Sequence, residues 1–116
     1  MIHKVSQQGR RTKANAQGGN GTLSFQDLFT AEELGGRAAM TTVITLLPGD
    51  SIGVHAHTEN GEIYWVLEGE VAVSEDGTET MLTAGDAEFC ADGHTHGAEN
   101  RSGAPAKMLA VILPNR

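Results

Sequence analysis

Gly49 to Gly69 reads G-D-S-I-G-V-H-A-H-T-E-N-G-E-I-Y-W-V-L-E-G, and two short strands around a turn are written into it. Side chains alternate across a strand, so His55 and His57, two residues apart, project from one face. Asn60 and Gly61 supply turn chemistry before Glu62, which opens the apolar run Ile63-Tyr64-Trp65-Val66-Leu67. A hairpin through that turn would bring Glu62 beside the two histidines. Further along, Gly85 to Asn100 reads G-D-A-E-F-C-A-D-G-H-T-H-G-A-E-N and offers a third imidazole, from His94 or His96. Three imidazoles and one carboxylate suit a divalent transition metal such as Mn, Fe, Co, Ni or Zn.

Working outward, the chain is punctuated at short intervals. Gln17-Gly18-Gly19-Asn20-Gly21 is a turn or hinge, and Thr22 to Phe25 a short strand. Thr30-Ala31-Glu32-Glu33 has the pattern of a capping box, with Gly35 placed to stop a helix after one or two turns. Ala38 to Leu47 is a longer strand ended by Pro48-Gly49, and Ser51 to Ala56 leads into the histidines. Val71 to Glu75 and Thr78 to Leu82 flank Asp76-Gly77, a strong two-residue hairpin signal. Ala87 to Cys90 and Lys107 to Leu113 complete the series. Strands at this spacing, with one short helical turn near the start, predict an all-β, antiparallel double-sheet barrel. Residues 1–21 then form a flexible or edge-pairing N-terminal segment, and residues 22–116 the barrel.

Ile63 to Leu67 and Met108 to Leu113 are apolar at successive positions, so both faces of these strands are expected to be covered. One small barrel covers only the inner face. The outer face falls to the N-terminal segment or to a second subunit, and a homodimer is expected.

With 116 residues the chain is one domain, and its net charge of −7 is unevenly spread. Residues 1–21 hold Lys4, Arg10, Arg11 and Lys13 without an acidic residue, while the rest carries four basic and fifteen acidic side chains. An acidic body repels phosphate backbones, which argues against nucleic-acid binding. No apolar segment is long enough for a membrane helix, and Met1-Ile2-His3-Lys4 opens a polar stretch rather than a signal peptide. The single cysteine, Cys90, has no internal disulfide partner, and a cytoplasmic location is expected.

The two quoted blocks resemble the cupin family. Gly49, His55, His57, Glu62 and Gly69 match the first cupin motif, G-x5-H-x-H-x4-E-x6-G, at every fixed position. Gly85, Gly93, His96 and Asn100 match the second, G-x5-P-x-G-x2-H-x3-N, with Ala91 where proline is usual. The resemblance implies a jelly-roll barrel (a double-stranded β-helix of the RmlC-like type), and its register selects His96 over His94 as the fourth ligand. It is weak for the reaction, because cupins include dioxygenases, decarboxylases, isomerases, lyases, sugar-binding proteins and seed storage proteins.

The expected ligand set is therefore His55, His57, Glu62 and His96. Acid–base work needs an ionisable group besides the ligands. His94, Tyr64 and Glu59 are the candidates, with Tyr64 sharing parity with Glu62 and facing the interior. Cys90 reads as a small buried hydrophobe rather than a nucleophile, and Asn100 as a backbone-bonding residue. Anionic substrates usually need an Arg or Lys in the pocket, and none of Arg37, Arg101 and Lys107 sits on a clearly inward position. The leading expectation is a metalloenzyme acting on a small oxygenated metabolite, such as a carboxylic acid, sugar derivative or diketone. The alternative is a non-catalytic module that binds a sugar or organic acid.

Overall fold

The computed structural model describes residues 1–115 and is built of ten β-strands. They are β1 (Gly9–Ala14), β2 (Thr22–Phe29), β3 (Met40–Leu46), β4 (Ser51–Ala56), β5 (Asn60–Glu68), β6 (Glu70–Glu75), β7 (Thr78–Thr83), β8 (Ala87–Cys90), β9 (Thr95–Glu99) and β10 (Ala106–Pro114). Six form an antiparallel sheet in the order β1-β2-β3-β10-β5-β8, and four form a second in the order β4-β9-β6-β7. The sheets face each other over Leu23, Ile44, Leu46, Tyr64, Val66, Val71, Val73 and Met108. This is the double-sheet barrel that the turn spacing predicts.

Period two decides which side chains enter it. In β3 the inward positions Thr42, Ile44 and Leu46 are buried and those between them only half-buried; in β5 Tyr64 and Val66 are buried while Trp65 and Leu67 are exposed. The Asp76-Gly77 signal is realised as the β6–β7 turn, with both residues at positive φ (48° and 85°) as a type I′ turn requires.

Two features differ from the sequence-based expectations: the route by which Glu62 arrives and the face left bare by the N-terminal segment. Glu62 does not reach the histidines through a hairpin. β4 pairs with β9 and β5 pairs with β10 and β8, so the Thr58–Glu59 turn carries the chain from one sheet to the other. The backbone at His57 is taken instead by the loop before β9, through His57 N–H to His94 O (3.1 Å) and Gly93 N–H to His57 O (2.8 Å). The same two bonds tie down the loop in which Ala91 stands where the cupin motif usually has proline, without that residue's fixed φ.

The predicted helix after Thr30 is one closed turn. Its capping box forms, with Thr30 N–H to Glu33 Oε1 at 2.8 Å and Glu33 N–H to Thr30 Oγ1 at 3.1 Å. Gly35 and Gly36 both lie at positive φ, and Gly36 N–H reaches back to Ala31 O, so the turn is capped before it can propagate.

The N-terminal segment does not cover the doubly apolar strands. β1 pairs with β2 at one edge of the six-stranded sheet, whereas β5 and β8 lie at the other. Trp65, Leu67 and Phe89 stay exposed on the outer face, beside the half-buried Leu109 and Val111. No helix among the described residues is long and apolar enough to cross a membrane.

Candidate metal centre

Antiparallel pairing of β4 with β9 sets His55 opposite His96, and β5 crosses the barrel to present Glu62 to both. Donor atoms of His55, His57, Glu62 and His96 all lie within 4.8 Å of one another. Glu62 Oε1 is 3.1 Å from His57 Nε2, 3.0 Å from His96 Nε2 and 3.6 Å from His55 Nε2. His57, Glu62 and His96 are buried, and His55 is half-buried.

What turns the three Nε2 atoms inward is the acceptor held by each Nδ1. His55 Nδ1–H donates to Gly53 O at 2.8 Å, His57 Nδ1–H to Asn60 Oδ1 at 2.7 Å, and His96 Nδ1–H to Glu88 at 2.8 Å. Such partners fix the ring orientation and the tautomer of a metal-binding histidine. Three nitrogen lone pairs and a carboxylate aimed at one another repel unless a positive charge stands among them. His57 Nε2 and His96 Nε2 are only 3.1 Å apart. Either a proton or a divalent cation relieves that repulsion, and the N3O donor set suits a transition metal. The residues present could hold one such ion.

The acidities agree. Burial alone would raise the Glu62 carboxyl, but the imidazoles of His55, His96 and His57 around it outweigh that and hold the group at about 2. Burial opposes charge on His96, yet its bonds to Glu62 and Glu88 raise it to about 9. Without a metal, His96 thus carries the proton that the cluster needs. Its stabilisation is complete below its ordinary value of 6.5 and is lost as pH rises through about 9. That of Glu62 is complete above its ordinary 4.5 and is lost as pH falls through about 2.

Glu88 was missed in the sequence. It sits opposite Tyr64 in the β5–β8 pairing and shares a strand face with buried Cys90, while Phe89 between them points out. That parity was the available signal, obscured because it puts a carboxylate inside and an aromatic outside. Tyr64 is buried with its ring stacked on His96, centroids 4.3 Å apart, and burial followed by the charges of Glu62 and Glu88 pushes its phenol well above its ordinary value. The phenol stays neutral and protonated. Burial likewise raises the Cys90 thiol to about 11, with Glu88 adding to it. Asn100 is buried and its backbone ties the two sequence blocks together, through Gly49 N–H to Asn100 O (2.8 Å) and Asn100 N–H to Asp50 O (3.0 Å), while its side chain donates to Leu46 O and Ala104 O.

His94 and Glu59 lie elsewhere. His94 is exposed and bonds Asp76 at 2.5 Å, an interaction that raises its pKa. Glu59 is exposed in the crossing turn, at φ 63°.

A cavity of about 480 Å³ opens onto the cluster, lined by His55, His57, Glu62 and Tyr64 on one side and by Phe25, Met40, Ile44, Ile52 and Ile112 on others. Arg11 and Lys13 line it too. Among the described residues the cavity's cations come from β1 and not from Arg37, Arg101 or Lys107 of the barrel.

The cupin domain matches over residues 42–112, which contain all four clustered residues. The chain belongs to the cupin family. An oxalate-binding protein from Thermotoga maritima is 33% identical over 86% of this chain and 83% of its own length. The tetracenomycin polyketide synthase protein TcmJ of Streptomyces glaucescens is 31% identical over 87% of this chain and 65% of its own. Among solved structures, a Thermotoga maritima protein described as a predicted oxalate decarboxylase superposes with a TM-score of 0.94 at 31% identity, covering 98% of this chain and 99% of that one.

Two outcomes follow from this geometry. Glu88→Gln removes the charged acceptor behind His96 and weakens cobalt(II) binding by about 10- to 100-fold, whereas His94→Ala leaves it unchanged; competition against a chromogenic chelator measures both. Cobalt(II) uptake at neutral pH displaces the His96 proton, so the apparent affinity strengthens as pH rises toward about 9. Titration calorimetry in buffers of different ionisation enthalpy reads that proton, and uptake without release contradicts the assignment.

Proposed function

We propose that this cupin holds one divalent transition metal at His55, His57, Glu62 and His96 and binds a small carboxylic acid against it. The observation that carries this reading is the convergence of three oriented imidazoles and a carboxylate on a cavity that also presents cationic side chains. Its similarity to an oxalate-binding protein supports the same ligand class. A bound divalent ion supplies Lewis acidity and open positions for the oxygens of a ligand. The chain does the rest. Tyr64, neutral and lining the cavity, offers a phenolic hydrogen bond to a ligand oxygen, while Phe25, Ile44 and Ile52 exclude water from one wall.

A metal-dependent enzyme is the second reading, favoured by that same phenol. Of the three groups considered for proton transfer, Tyr64 alone lines the cavity; His94 and Glu59 do not. The single buried thiol accords with a reducing, cytoplasmic setting.

The exposed outer face of β5, β8 and β10, left bare by β1, supports a homodimer in which Trp65, Leu67 and Phe89 are covered by a second copy.

Metal analysis of protein purified without added metal, followed by a panel of oxalate, 2-oxo acids and diketones, tests the function. Ligand-dependent thermal stabilisation that needs the metal and is lost in His96→Ala supports binding, and turnover with the same dependence supports the enzyme. Fully loaded protein that binds and converts nothing refutes both. Light scattering at micromolar concentration should give twice the chain mass, and Trp65→Glu should halve it; a monomeric parent protein refutes the dimer.

A further inference from the structure

The charges around the cavity are unequal in a way that singles out one residue. Among the described residues its charged lining consists of Glu62, Arg11 and Lys13. Glu62 belongs to the metal cluster. Arg11 is already engaged: Nε and Nη2 donate to the Asp27 carboxylate at 2.9 and 3.2 Å, and the guanidinium lies 4.2 Å over the Phe25 ring. Lys13 forms no ion pair and no side-chain hydrogen bond among the described residues. In a chain whose remaining 95 residues carry an excess of acid, it is the cavity's one uncommitted positive charge.

Its placement is built into the fold. In the β1–β2 pairing Arg11 stands opposite Phe25 and Lys13 opposite Leu23, both partners buried, so the two cations occupy the inner face of the sheet. Arg10 and Thr12 take the other face. β1 is then anchored at both ends of this short stretch. The Arg11–Asp27 pair with its stacking on Phe25 holds one end. At the other, Asn15 N–H bonds Gly21 O at 2.9 Å, and Ala16 is buried in the core. Beyond it Gly19 and Gly53 pack so closely that a Cβ on Gly19 would stand 2.2 Å from Ser51 O, and one on Gly53 2.0 Å from Gln17 O. The segment rests on β4, the strand that carries His55.

We infer that Lys13, delivered to the metal cavity by the N-terminal strand, is the specificity-determining residue that selects an anionic ligand by donating to one of its carboxylates. The inference rests on the proposed function and deepens it by naming the residue that recognises the acid's charge. An ammonium group on a flexible stem meets a carboxylate as a point charge, so it tolerates acids of different length. Arg11 acts through Lys13 as a positioning residue, pinning the strand two residues away.

Cobalt(II)-loaded protein, freed of excess metal, is titrated with oxalate and with oxamide, its neutral analogue, while the cobalt absorption spectrum and the melting temperature are recorded. Lys13→Gln should weaken oxalate binding roughly tenfold or more, the size of a lost charge-assisted hydrogen bond. Lys13→Arg should retain most of the affinity, and raised salt should narrow the gap between parent and Lys13→Gln. Oxamide affinity, cobalt content, spectrum and melting temperature should match the parent in both variants. Equal oxalate affinity in the parent and Lys13→Gln overturns the assignment while leaving the proposed function intact. An equal loss for oxamide overturns it as well, by showing that packing rather than charge is at stake. A cobalt-loaded parent protein that binds no carboxylate overturns the inference together with the function beneath it.

Discussion

Repulsion among inward lone pairs is the constraint around which this barrel is arranged. Three Nε2 atoms and a carboxylate oxygen are directed at one another inside a buried space, and each imidazole is held there by an acceptor on its far nitrogen. Rotating any ring would break such a bond in a place where an unpaired polar group is costly. The protein therefore maintains an arrangement that is satisfied only by a positive charge. The His96 proton serves when nothing else is present, held by the bonds to Glu62 and Glu88 that raise its pKa. Fold and site are linked through this: the β4–β9 register sets His55 against His96, and the turn between the sheets brings Glu62 across to them.

Electrostatics outside the cluster follows a division along the chain. The barrel is acidic, and the N-terminal segment is basic. The segment folds back as an edge strand, so two of its four cations, Arg11 and Lys13, line the cavity. Glu88 and Tyr64 add a second layer behind His96, one an acceptor and the other a neutral stacked ring. Both bury polarity in the barrel, where Cys90 beside them is kept a thiol.

Much of this was readable beforehand, for identifiable reasons. His55, His57 and Glu62 announce themselves because strand alternation and turn residues act locally, within a span of eight positions. His96 needed the family's register, since parity alone admits His94 equally. The structure separates them by pairing His94 with Asp76 on the surface. The strands and the Asp76-Gly77 turn were legible from period and turn chemistry. What escaped notice depends on how the sheets are assembled. Glu62 arrives from the opposite sheet rather than along a hairpin, and no local pattern distinguishes the two routes. Glu88 is inward because Cys90 is, against the usual preference for Phe inside. Arg11 and Lys13 reach the cavity only because a segment 40 residues earlier than the histidines lies across β4.

The contact of Gly19 with Gly53 joins the N-terminal segment to the barrel through backbone alone, and it asks nothing of the side chains that β1 carries inward apart from its anchor at Arg11. The His/Glu cluster and the cation proposed to choose its ligand thus sit on separate stretches of the chain. On the proposed reading, a change at position 13 would alter the charge offered to a ligand without touching His55, His57, Glu62 or His96. One substitution in an edge strand would then suffice to change what such a barrel recognises, with its core untouched.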